Sequence, residues 1–168
     1  MSRRRPESLM QQGFTLIELM VAVAVLAVLL AIAVPSFTAQ IQSGRAQMAA
    51  DGLKRAVANA RAIASQTGKR TTLTLKGGVT GCDPAAWAIT QKAATASNPD
   101  AVTVVGCLTQ VDFSKRYEGT SLAGSDSQSV VFLPTGIATN TSALTYTFTA
   151  GGSSKSLTIN AGGAVNVL

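Results

Sequence analysis

Glu18 is the one charged side chain in the run Phe14 to Val34, FTLIELMVAVAVLAVLLAIAV. A carboxylate one turn into an apolar helix is costly in lipid, and such groups usually have a partner. Cys82 and Cys107 are the only cysteines, too few for a protein-only zinc site without other soft ligands. They read either as a disulfide, which an export context favours, or as two buried free thiols. The chain has no His, and so lacks the commonest general base and metal ligand. The carboxylates Asp51, Asp83, Asp100, Asp112, Glu118 and Asp126 are scattered, and Asp83-Pro84 is a turn signal. Lys76-Gly77-Gly78 and Gly162-Gly163 lack the strand and helix context of a phosphate-binding loop. The residues therefore point away from an enzyme and imply neither cofactor nor metal. Lys69, Arg70, Lys115, Arg116 and Lys155 are candidate phosphate contacts if the fold gathers them, and solvated turn residues if it does not.

The elements that position these residues follow from the pattern. Twenty-one residues of helix, 14–34, span about 32 Å, enough to cross the hydrocarbon core of a bilayer. Arg3, Arg4 and Arg5 precede them and hold the N-terminus on the cytoplasmic side, so the chain beyond Val34 is translocated. A secretory signal peptide or an inert anchor would share this layout, but neither has a use for Glu18. The whole chain carries a net +6; three Arg and one Glu lie in residues 1–13, so the remainder carries +4. Such an excess is compatible with binding a polyanion without requiring it.

Gly13-Phe14-Thr15-Leu16-Ile17-Glu18-Leu19-Met20, continued by the apolar run and Pro35, resembles the class III signal of type IV pilins and type II secretion pseudopilins. The resemblance implies that a prepilin peptidase cuts after Gly13 and methylates the new N-terminal Phe14. It implies a leader over 1–13, a transmembrane and assembly segment over 14–34, and a periplasmic pilin-like domain over 35–168. It places the chain in a bacterial inner membrane with a single pass, and then in a filament. Its implied partners are other pilin or pseudopilin subunits, the peptidase, an inner-membrane assembly platform and, before assembly, the lipid bilayer. In that setting Glu18 pairs with the amine of a neighbouring Phe14, relieving two buried charges and fixing the axial register. Pro35 removes one helix hydrogen bond and kinks the helix, or marks a stretch that unwinds on assembly.

Residues 38–67 keep helical spacing. Ile41, Met48, Ala49, Gly52, Leu53, Ala56, Val57, Ala60, Ile63 and Ala64 fill one half of the wheel. Arg45 shares that azimuth and reads as a snorkelling side chain at the domain edge. Gly68 suits the residue after the helix end. A helix from Phe14 to Thr67 runs about 80 Å, so its first half must protrude from a domain of this size. Alternation then predicts a sheet over 69–168, with strands Thr71–Lys76, Trp87–Gln91, Val102–Phe113, Ser129–Leu133, Leu144–Thr149, Lys155–Asn160 and Ala164–Val167. Ala150 to Ser154 joins two of them as a hairpin, and loops fall at 77–86, 93–101, 114–128 and 134–143. The expected fold class is α+β, a long N-terminal helix packed on an antiparallel sheet.

Within the pilin family the chain resembles the GspH-type minor pseudopilins and the FimT/FimU-type minor pilins. The segments that carry this are Ala60-Arg61-Ala62-Ile63-Ala64, Val131-Phe132-Leu133-Pro134-Thr135-Gly136 and the paired Gly162-Gly163. The resemblance implies a minor subunit that joins, initiates or caps a pilus or secretion filament. The alternative it carries is a DNA-binding minor pilin acting in DNA uptake. That subgroup places a Gly-Arg-x-Arg near the C-terminus, where this chain has Gly162-Gly163-Ala164-Val165.

Overall fold

The computed structural model describes residues 14–92 and 101–168. The cleavage site at Gly13, the leader 1–13 and Asp100 lie outside the described residues. The described residues fall into two units divided after Thr38, and the first helix, α1 (Leu16–Thr67), contributes to both.

In the first unit every described side chain to Val34 is exposed, and the helix continues through position 35 without interruption. Thr15 begins it: its hydroxyl accepts the amide of Glu18 at 3.2 Å, as an N-cap does. The Thr-x-x-Glu spacing is the signature of such a start.

In the second unit α1 lays a stripe of small residues against the rest of the chain. Ala46, Ala49, Ala50, Leu53, Ala60 and Ala64 are wholly buried. The helix ends at Thr67, and Gly68 takes the left-handed conformation with φ +65. Met48, assigned to the apolar face by spacing, is 59% exposed, while Ala46 and Ala50 occupy the buried stripe.

The strands are β1 (Thr71–Val79), β2 (Cys82–Lys92), β3 (Val102–Thr109), β4 (Thr120–Ala123), β5 (Gln128–Phe132), β6 (Leu144–Ala150), β7 (Ser153–Ile159) and β8 (Val165–Val167). They form two four-stranded antiparallel sheets, β3-β2-β1-β5 and β4-β6-β7-β8. Alternation holds where it is cleanest. Thr71, Leu73 and Leu75 of β1 are buried, as are Tyr146 and Phe148 of β6 and Leu157 and Ile159 of β7. All of these but Thr71 share one hydrophobic core with Ala49, Ala50, Leu53, Ala60 and Ala64 of α1. On the other face of the second sheet, Thr145 meets Thr158, Thr147 meets Ser156, and Thr149 meets Ser154 through hydroxyl contacts of 3.1–3.3 Å.

Three expectations need correction. The stretch Val102–Phe113 is not all strand: β3 stops at Thr109 and α2 (Gln110–Arg116) follows. Thr109 caps α2, accepting the Asp112 amide at 3.1 Å and donating its hydroxyl to the Asp112 carboxylate at 2.8 Å. The helix buries Phe113 edge-on against Trp87, with ring centroids 5.9 Å apart, and leaves Val111 57% exposed. The segment 77–86 is mostly strand, because β1 and β2 continue to a tight turn at Thr80-Gly81. The expected loop 114–128 contains β4, which pairs with β6 across some 25 residues of sequence, a partner that local alternation cannot reveal.

Candidate functional site

The first candidate surface is the apolar segment itself. Phe14 is 84% exposed, and Leu16, Ile17, Leu19 and Met20 are each at least 60% exposed. Glu18 lies in the first turn of α1, where the helix dipole favours a negative charge. Its backbone is tied to Thr15, while its side chain is exposed. Nothing within the described unit buries this surface, and the helix is long and apolar enough to cross a membrane.

The two cysteines form a disulfide. Cys107 pairs with Ala88 across β2 and β3. Cys82 lies six residues before Ala88, about 20 Å along a straight strand, yet its Cα is 6.0 Å from that of Cys107. The tip of the β1–β2 hairpin therefore folds back over the outer face of the first sheet. A register shift between Gly77 and Val79 accompanies the bend. Under the tip, Cys82, Ala85 and Ala88 are buried, with Val79 and Val104 packed on them.

Arg61 lies on the half of α1 away from the buried stripe, and its side chain is exposed. Its Nη2 nonetheless donates to the carbonyls of Gly162 at 3.3 Å and Gly163 at 3.0 Å. The guanidinium carbon sits 5.8 Å from the centroid of the Phe132 ring. Gly136, at φ +77, and Gly163, at φ +84, adopt backbone conformations that disfavour a side chain, and a Cβ at either would crowd Arg61. Three segments far apart in sequence thus meet at one guanidinium. They are the same three that carry the resemblance to the minor subunits.

The five candidate phosphate contacts do not gather. Lys115 and Arg116 end α2, whose following Tyr117 packs against α1 at Gly52. Lys155 faces Phe148 across the β6–β7 pair, whose turn is tied to Gln42 by the Gly152 amide at 3.2 Å. Lys69 and Arg70 lie beyond the other end of α1, about 22 Å along the helix from Gly52. Ala164 and Val165 face a groove that Lys54 and Arg61 also line, and Arg61 is already committed to the loop carbonyls. Among the described residues, no three His, Cys, Asp or Glu side chains gather in one place.

Comparison with known proteins agrees with this division of the chain. The family model for the prokaryotic N-terminal methylation motif matches residues 9–34. The model for the type II transport protein GspH matches residues 49–163. No curated protein and no solved structure gives a significant match.

Proposed function

Because this chain belongs to the family of the type II transport protein GspH, we propose that it is a minor pilin or pseudopilin that joins, initiates or caps a pilus or secretion filament. The observation that carries the reading is a fully exposed apolar helix face with one carboxylate, within the segment that matches the methylation motif. In the membrane, lipid covers that face. On assembly, the helices of neighbouring subunits cover it instead.

The steps follow from the residues. Removal of the leader 1–13 after Gly13 creates a positive amine on Phe14, four residues before Glu18. In one helix the Thr15 cap already ties the Glu18 backbone, and the Glu18 carboxylate remains exposed for a neighbour's amine. Pairing in a low-dielectric bundle relieves both charges and sets the axial step between subunits. The domain 35–168 lies in the periplasm in this reading, where its disulfide is stable. Filament assembly ranks above DNA capture, because the five candidate cations are spread along the domain and the C-terminal arginines are absent.

The test is Glu18→Ala, scored in membranes and in sheared filaments. The expected result is an unchanged membrane level with at least a tenfold loss from the filament fraction. Equal incorporation of the variant removes the pairing step.

A further inference from the structure

One flank of the domain carries a cleft of about 430 Å³ between α1, the end of α2, β2 and β3. On α1 it is lined by Gly52, where the Tyr117 ring takes the place of a side chain, and by Ala56 one turn on; on β3 it is lined by Gly106, against which Ile89 packs. Trp87 and Leu108 form the apolar wall, while Arg55 and Arg116 stand at the rim. Among the described residues, no carboxylate lines it. Both arginines are exposed, and neither has a hydrogen bond, an ion pair or a ring contact among the described residues. β3 is the outermost strand of its sheet, and among the described residues nothing pairs with its free side.

We propose that this cleft is a docking site for an extended, carboxylate-bearing segment of a different subunit of the same filament. Two unpaired guanidiniums beside an apolar wall match a short peptide that alternates acidic and apolar side chains. The open edge of β3 supplies backbone donors and acceptors for its main chain. Nucleic acid fits less well, because a phosphate track needs a row of cations and this cleft offers two. A second copy of this chain fits less well too, because both copies carry a net positive charge. The proposal rests on the filament reading only for the identity of the partner.

The experiment uses the full chain in detergent micelles and reads fluorescence anisotropy, independently of assembly. The probes are a labelled ten-residue peptide alternating Asp and Val, its Lys and Val counterpart, and a labelled ten-nucleotide single strand. The acidic peptide is expected to bind at least tenfold more tightly than the basic one. The double variant Arg55→Glu with Arg116→Glu should reverse that preference, and Arg55→Gln with Arg116→Gln should abolish it, with thermal unfolding unchanged in both. Equal binding of the two peptides overturns the proposal, as does a preference that survives both variants. Tighter binding of the oligonucleotide at physiological salt assigns the cleft to nucleic acid and also overturns it. Because no filament is involved, a failure here is distinct from a failure of the assembly reading.

Discussion

Arg61 ties the end of the second sheet to the helix through two backbone carbonyls and the face of Phe132. Its partial exposure limits the gain, so Arg61→Ala is expected to cost about 1–2 kcal/mol. Gly163→Ala should cost more, roughly 2–4 kcal/mol. It forces a side chain into a left-handed conformation and sets a Cβ 2.8 Å from that of Ala138. Chemical denaturation of the two variants checks the order, and a milder Gly163→Ala contradicts it. Tyr146 gives a pH signature at the same scale. It is 1% exposed, and burial, followed by the Asp126 carboxylate, pushes its hydroxyl up to about 12. In the unfolded chain it ionises near about 10. The folded state therefore holds the proton more tightly. The stability from this group is complete below about pH 10 and is lost as pH rises toward 12. Tyrosinate absorbance should rise together with unfolding across that window, and Tyr146→Phe should flatten the loss. Ionisation of Tyr146 near pH 10 in folded protein contradicts the account. At this scale the sequence was legible where chemistry is local. Glu18 stands out as the one charge in an apolar run, and the cysteines pair as the export context favoured. Arg61 was not legible, because its partners lie more than 70 residues away in the chain and its azimuth is that of a surface residue.

Elements were readable to the extent that burial on one face decided them. Strands β6 and β7 and their hairpin at Gly151-Gly152 follow from strict alternation, and the α1 stripe follows from helical spacing. The start of α2 escaped because Val111 and Phe113 mimic alternation, while the capping Thr109 and Asp112 carry the opposing signal. β4 escaped because its partner β6 is remote. The folded-back β1–β2 hairpin is held by the disulfide, whose loop of 25 residues is worth about 3 kcal/mol in the chain-entropy model. Replacing Cys82 and Cys107 together by Ser should lower unfolding stability by that order. It should also raise proteolysis at the hairpin tip ahead of the rest of the domain. Unchanged stability and unchanged cleavage contradict the stapling role. In exported protein neither thiol should react with an alkylating reagent before reduction.

At the scale of the whole molecule, the chain divides its labour between a unit whose described side chains are all exposed and a unit with a hydrophobic core. Isolated in water, the exposed face from Phe14 to Val34 would be a liability. In the proposed reading, a bilayer and then other helices cover it, and it serves anchoring and assembly. The methylation motif over residues 9–34 falls on the first part and the family match over 49–163 on the second. The central claim is that the first part, once cut free of its leader, enters a filament. The most direct test is mass spectrometry of the N-terminal peptide of the chain recovered from sheared, purified filaments. The account predicts a chain that begins at Phe14 and carries one methyl group on its amine, with this form missing when Gly13 is replaced by Val. A filament fraction without the chain, or an N-terminus at Ser36 or beyond, contradicts it.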